Sequence, residues 1–361
     1  YGETVVLATA QISPDKREGL DFFPLMVDYE EKLYAAGRIK GSRFVKKEGR
    51  PTDEAVLISR FIDRALRPLF DERIRNDIQV IVSVLSFDTE NDPDIVSLIA
   101  ASCALHISSI PWNGPIGCVR VGQVEGEWVL NPTYLTREKS LLDLSFAGTP
   151  KKIIMVEAGA NEAPEEVVLQ AFTFGQKYLA EPIKLIEDVR TAVGKEKIDP
   201  SVPKNEKQIE VEALAKPFIL KNVKELFFGA PQATKGERSA QKQEVKKLTK
   251  AFLLEQGVLE EHLSFGTSIV SAVLEEEVSR AIVEDEKRVD GRAITQVRSL
   301  VNEVAVLPRV HGSGHFKRGE TQVLTVVTLG APGDEQTLDG METVGKRRFF
   351  HHYNFPPFSV G

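Results

Sequence analysis

Seven cations crowd one stretch of the chain: Arg43, Lys46, Lys47 and Arg50 in a loop with Gly41 and Gly49, then Arg60, Arg64 and Arg67 just beyond. The last three stand at i, i+4 and i+7, so on a helix their guanidinium groups leave one face as a stripe. A guanidinium makes paired hydrogen bonds to phosphate, and a row of them tracks a single-stranded backbone without reading its bases. Phe44 adds a ring on which a base could stack. The plainer alternative is a solvated helix face paired with Asp63 and Asp71. A second cluster runs Pro308-Arg309-Val310-His311-Gly312-Ser313-Gly314-His315-Phe316-Lys317-Arg318-Gly319. Its glycines let backbone N–H groups approach an oxyanion, and Arg309, Lys317 and Arg318 would neutralise it. The spacing fits neither a Walker loop nor a dinucleotide fingerprint, and a hairpin between two strands is the alternative.

Other polar residues carry less. His351 and His352 are adjacent, so on a strand they point to opposite faces and do not chelate one ion, and no third ligand is near in sequence; no metal site is assigned. Asp143 is a lone acid in the apolar run Leu141-Leu142-Asp143-Leu144-Ser145-Phe146, where a buried charge is costly without a partner. Functional and structural roles for it both stand. Six histidines and two cysteines so placed give no Ser-His-Asp or Cys-His arrangement.

The elements that must hold these residues follow from the apolar pattern. Strand-like runs cover 4–10, 22–27, 78–87, 116–121, 128–131, 141–147 and 153–156. Between them, Thr52-Asp53-Glu54 caps a helix with apolar residues at spacings of three and four that stops before Pro68. A second helix starts near Asp94 and runs to the break at Pro111, and a third covers about 165–179. Strands broken by helices without one-to-one alternation indicate an α+β domain. From about 206 to 288, Lys, Glu, Gln, Ala and Leu replace the strand runs, which predicts an all-helical domain with a basic run over 235–250. After Asp290-Gly291-Arg292 a second β-rich segment follows, over 304–307, 322–329 and 349–358.

The two β-rich parts share short motifs. Gly2-Glu3-Thr4-Val5-Val6-Leu7 matches Gly319-Glu320-Thr321-Gln322-Val323-Leu324, and Phe22-Phe23-Pro24-Leu25 is echoed by Asn354-Phe355-Pro356-Pro357. The first pair is offset by 317 residues and the second by 332, so the second copy carries 15 more residues between its motifs. Two duplicated α+β cores joined by a helical domain are the inferred architecture, as 1–200, 201–288 and 289–361. Lys+Arg number 46 against 53 Asp+Glu, so the net charge of −7 excludes a generally cationic coat and makes any polyanion site local. No run approaches the ~18 apolar residues of a membrane span, and there is no leader pattern, so a soluble, cytoplasmic protein is expected. Cys103 and Cys118 cannot make a disulfide framework. The chain opens inside a strand and stops after an aromatic run, and both ends are expected to be cuts through a larger protein.

With these residues set out, the chain resembles the polynucleotide phosphorylases, also called polyribonucleotide nucleotidyltransferases. The resemblance rests on Asp21-Phe22-Phe23-Pro24-Leu25, Tyr34-Ala35-Ala36-Gly37-Arg38, Glu48-Gly49-Arg50-Pro51-Thr52, Arg64 with Arg67-Pro68-Leu69-Phe70, and Asn113-Gly114-Pro115-Ile116-Gly117. It continues through Val289-Asp290-Gly291-Arg292, Arg318-Gly319-Glu320-Thr321 and His352-Tyr353-Asn354-Phe355-Pro356-Pro357. The family implies two RNase PH-like cores, the second truncated here, and an all-helical domain between them. It also implies a homotrimeric ring that degrades single-stranded RNA from its 3′ end with inorganic phosphate, assisted by Mg2+, sometimes within an RNA-degradation complex. By the resemblance, Phe44, Lys46, Lys47, Arg50, Arg64 and Arg67 bind RNA, and Arg309 and Arg318 approach the substrate phosphates. Catalytic and metal-binding groups are expected beyond Gly361. The acids of Glu90-Asn91-Asp92-Pro93-Asp94 stand where phosphate-binding serines would be needed, and Ser145 stands where a cation is expected, so the first core is expected to be silent. The alternative in a different class is a non-catalytic RNA-binding or scaffold subunit of an exosome-like ring.

Overall fold

The β-branched residues of the N-terminal runs form a three-stranded sheet in the order β1-β3-β2, from β1 (Val5–Lys16), β2 (Leu25–Glu30) and β3 (Asn76–Ser86). β1 pairs antiparallel with β3, and β2 pairs parallel with it. Ile78, Val80, Val82 and Val84 alternate along β3 toward one side and are buried. The structure is a computed structural model and describes residues 1–17, 20, 22–39, 49–198 and 206–360. They divide into two units, Tyr1–Val202 with Asp334–Gly361, and Pro203–Gly333.

In the first unit, α1 (Asp53–Leu66) starts as its sequence requires: the Thr52 hydroxyl accepts from the Ala55 N–H, and Asp53 and Glu54 occupy the first turn. It buries Ile58, Phe61, Ile62, Ala65 and Leu66 and stops ahead of Pro68. α2 (Pro93–Ile107) lies beside it. The second sheet has the order β5-β4-β6-β7, all antiparallel, from β4 (Gly117–Val124), β5 (Glu127–Leu130), β6 (Leu142–Gly148) and β7 (Ile153–Ala160). The short helix α3 (Tyr134–Arg137) joins β5 to β6. β4 is covered on both faces: Cys118 joins the core shared with α1, α2 and the first sheet, whereas Val119 and Val121 join a core with α4 (Glu165–Gln176) and α5 (Ala180–Val193). Parity therefore fixes direction. Leu142, Leu144 and Phe146 point to α4 and α5, and the odd-numbered residues of β6 point to α2. Each fully buried Leu or Phe here contributes about 1.5–3 kcal/mol. The helix expected over about 165–179 is α4, and a turn at residues 177–179 leads into α5, which the sequence reading did not place.

The second unit begins with α6 (Glu206–Phe228), whose Val211, Ala215, Ile219, Val223 and Phe227 repeat every four residues and are buried. They pack with Val245 and Leu253 of α7 (Lys235–Glu255), Leu263 of α8 (Leu263–Ser268) and Val270 and Val273 of α9 (Val270–Glu284). A meander of β8 (Leu300–Val304), β9 (Gly312–Arg318) and β10 (Thr321–Val327) follows. The glycine-rich cluster is thus mostly strand β9, and Gly319 makes the turn into β10. Gly2 and Gly319 both adopt φ of +60°, each opening a strand, so the repeated Gly-Glu-Thr occupies the same left-handed turn in both places.

β11 (Gln336–Asp339) and β12 (Val344–Arg347) form a hairpin that belongs to the first unit. The strand expected over 349–358 does not form. Pro356 and Pro357 lack an N–H, and the chain ends in a short 3-10 turn, Pro357–Val360.

Candidate functional site

The densest group of polar side chains in the first unit gathers at the N-terminus of α2. Asp92 caps the helix, its Oδ1 accepting from the Asp94 N–H at 3.1 Å, and Pro93 takes the first helical position, where no N–H is needed. Arg120 rises from β4 on the face turned to α2. In the β4–β6 register Arg120 lies opposite Ser145 and Gly122 opposite Asp143, so Arg120 and Asp143 are diagonal neighbours. The Arg120 Nη2 donates to Asp94 Oδ2 at 2.5 Å and lies 3.2 Å from Asp92 Oδ2, while Nη1 donates to Asp143 Oδ2 at 3.0 Å. Arg137, at the end of α3, donates from Nη1 to Asp92 Oδ2 at 2.5 Å and from Nε to Asp143 Oδ2 at 2.9 Å. Its guanidinium also covers the Tyr134 ring at 5.1 Å.

Three carboxylates thus meet two arginines, and the electrostatics follow from that imbalance. Burial, and next the Asp92 carboxylate, push the Asp94 pKa well above its ordinary value. At Asp92 burial acts in the same direction, but Arg120 and Arg137 outweigh it and hold this carboxyl below the usual range. Arg120 is only 6% exposed, yet Asp94, Asp92 and Asp143 overcome the effect of burial and raise its pKa. Asp94 Oδ1, Asp143 Oδ1, Arg120 Nε and the hydroxyl of Tyr29 are buried without a hydrogen-bond partner. Both arginines are engaged and the helix N-terminus is capped by Asp92, so among the described residues an incoming phosphoryl group meets no open cation in this cluster.

The cluster revises one expectation. Repulsion among the acids of 90–94 is not the governing feature, because Asp92 and Asp94 are answered by Arg120 and Arg137, and Glu90 is exposed. The cation missing at Ser145 comes from the strand beside it: the small serine lies opposite Arg120. Sequence reasoning passed over both arginines. The available signal was complementarity, since Arg120 is the lone charge in Ile116-Gly117-Cys118-Val119-Arg120-Val121, as Asp143 is in its own strand.

On α1 the arginine stripe divides. Arg60 and Arg64 are exposed and make no ion pair among the described residues. Arg67 pairs with Asp63 at 2.6 Å, donates to the Leu25 carbonyl at 3.1 Å and lies 5.7 Å from the Phe23 ring centroid, which fastens α1 to the approach of β2. Asp71 pairs with Arg73 instead of the stripe. Arg50 is exposed just ahead of α1. Phe44, Lys46 and Lys47 lie outside the described residues. Arg309, in a turn, and Arg318, at the end of β9, are exposed in the second unit. His351 and His352 are exposed and outside any strand, and no group of three or more His, Cys, Asp or Glu among the described residues could hold a metal ion. No helix among the described residues is long and apolar enough to cross a membrane.

Comparison with known proteins gives this architecture its relatives. Residues 1–111 match the 3′ exoribonuclease family, domain 1, and residues 114–178 match the same family, domain 2. Over its whole length the chain is 46% identical to a polyribonucleotide nucleotidyltransferase of Alkaliphilus oremlandii and covers 50% of that protein. It is 47% identical to that of Geobacillus kaustophilus, covering 49%, and 46% identical to that of Anoxybacillus flavithermus, covering 50%. The chain spans about half the length of the curated relatives it matches.

Proposed function

We propose, for a chain that belongs to the 3′ exoribonuclease family, that the whole protein is a 3′-to-5′ phosphorolytic exoribonuclease. It would release nucleoside diphosphates from RNA with inorganic phosphate. What carries the reading is 46–47% identity to polyribonucleotide nucleotidyltransferases in matches that cover the whole of this chain. In this reading residues 1–200, 201–288 and 289–361 are the first core, the helical domain and the start of the second core. Phosphate attacks a phosphodiester, so cations must gather two anions and stabilise charge that grows in the transition state. Arg50 and Arg64, with Phe44, Lys46 and Lys47, are proposed to grip single-stranded RNA. Arg67 supports them by fixing α1, and Arg309 and Arg318 approach the substrate phosphates. A homotrimer, a place in an RNA-degradation complex and a cytoplasmic location belong to the same proposal.

Magnesium is the metal that such chemistry implies, and the described residues do not fit it. The carboxylates gathered at the α2 N-terminus, Asp92, Asp94 and Asp143, are taken by Arg120 and Arg137. We therefore propose that the phosphate and metal chemistry lies outside this half of the protein. One observation favours a second reading, a non-catalytic RNA-binding or scaffold subunit of an exosome-like ring: the first core answers its own charges. The deciding experiment measures phosphate-dependent release of nucleoside diphosphate from poly(A) with Mg2+, for this chain and for the protein at its relatives' full length. Activity in the longer protein alone is expected, and activity in neither would favour the scaffold.

A further inference from the structure

The surplus of 15 residues in the second motif pair falls within residues 325–353, the stretch that contains the β11–β12 hairpin. The hairpin strands are largely exposed, but their tip is not. Met341 is fully buried within the core of the first unit, and the Arg38 guanidinium donates to the Gly340 carbonyl at 2.7 Å. Beside them Glu342 reaches toward the Asp92–Arg120 cluster. Its Oε2 accepts from the Tyr134 hydroxyl at 2.6 Å, while its Oε1 is buried with no hydrogen-bond partner.

The groups that face this carboxyl are mostly acids. They are Asp92 at the cap of α2, Asp94 in its first turn, Glu54 in the first turn of α1 and Glu31 just after β2, with Tyr29 and Tyr134 as neutral hydroxyls. Among the described residues the cations on the same side are engaged: Arg120 and Arg137 hold Asp92, Asp94 and Asp143, and Arg38 holds a carbonyl. A fourth carboxylate charge would enter a site that already has one acid more than it has arginines.

We propose that the hairpin is a proton-gated plug of the first core, whose tip closes over the Asp92–Arg120 cluster while Glu342 carries a proton and lets go when Glu342 ionises. Burial, and then the Asp92 charge, push the Glu342 pKa up from 4.5 to about 8. The released tip would lose its proton near 4.5, so docking is strongest below that pH. It weakens as the pH rises from there to about 8, by at most about tenfold per pH unit for one proton. Glu342→Gln keeps the acceptor for Tyr134 and removes the titration.

The chain has three methionines, Met26, Met155 and Met341, so methyl-13C methionine labelling of the whole chain gives one resonance at the plug. In the wild type the Met341 methyl should pass from its buried position toward a solvent-exposed one between pH 6 and 9, with Met155 unmoved. In Glu342→Gln it should stay buried throughout. A wild-type Met341 resonance that remains buried at pH 9, or a Glu342→Gln protein that shows the same transition, would overturn the proposal.

Discussion

Replacing Arg120 with methionine tests whether the ion cluster holds the first unit together. The side chain is 8% exposed and contacts three carboxylates, at 2.5 Å to Asp94, 3.0 Å to Asp143 and 3.2 Å to Asp92. Methionine fills much of the same volume, so the loss is chiefly one of charge, leaving Asp92 and Asp143 to Arg137 alone and Asp94 with neither arginine. Removing one partner of a buried ion pair costs about 3–5 kcal/mol, because the remaining charge keeps its desolvation and loses its compensation. In a unit of this size each kcal/mol lowers the melting temperature by about 2–4 °C, so a fall of roughly 6–20 °C is expected at pH 7. Both tryptophans, Trp112 and Trp128, lie in the first unit, and intrinsic fluorescence therefore follows that unit's unfolding. The deficit must also depend on pH. Asp92 is held below its ordinary pKa in the native protein, so its contribution is present above about pH 4 and lost as the pH falls through the native pKa. Without Arg120 much of that contribution is already gone, and the gap between wild type and variant should narrow below pH 4. A melting temperature within 2 °C of wild type at pH 7, or a gap that widens in acid, refutes this account.

Two further outcomes separate anion binding from structural support. Replacing Asp92 and Asp94 together with serine removes two of the three carboxylates held by Arg120 and Arg137 and leaves them Asp143 alone. This variant should be destabilised but should regain stability in 10–50 mM phosphate through binding linkage, whereas the wild type should not respond; equal responses would show that no anion site had been opened. Affinity for single-stranded RNA should fall with salt at about −0.7 in log K per log salt for each phosphate contact. Arg64→Gln should therefore flatten the slope by about one such step, and Arg67→Gln should lower the melting temperature; a slope unaffected by Arg64→Gln removes that residue from the RNA surface.

Much of the fold was legible because local and tertiary preferences agree. Thr52 followed by two acids and an apolar stripe specifies α1 with its cap, and alternating β-branched residues specify β3. The Gly-Glu-Thr repeat was readable as well, since φ of +60° at Gly2 and Gly319 admits few residues other than glycine. Where local signals weaken, the reading failed. Residues 349–358 are aromatic enough for a strand, but two prolines and the absence of a pairing partner among the described residues decide otherwise. The site was legible only by halves. Asp92, Asp94 and Asp143 stand out as acids, but Arg120 joins all three from 23 or more residues away and Arg137 joins Asp92 from 45, through strand register and the placement of a four-residue helix. No local pattern reports such a meeting. Arg67 shows the reverse, since helical spacing grouped it with Arg64 whereas Asp63 and the Leu25 carbonyl draw it to the body of the unit.

The cluster and the hairpin have one electrostatic cause. The group at α2 has three acids to two arginines, and burial beside Asp92 pushes the Asp94 pKa up in consequence. The same excess sets the condition on Glu342, because a neutral carboxyl enters the site with a hydrogen bond from Tyr134 and an ionised one enters against Asp92, Glu54 and Glu31. Such an arrangement resists piecemeal change. Losing an arginine strands carboxylates at several kcal/mol, whereas the complete set is stable. A duplicated core that has filled its helix N-terminus with its own carboxylates is thereby committed to them. Opening it to phosphate would need at least two simultaneous substitutions, at Asp92 and Asp94, together with a plug that no longer closes.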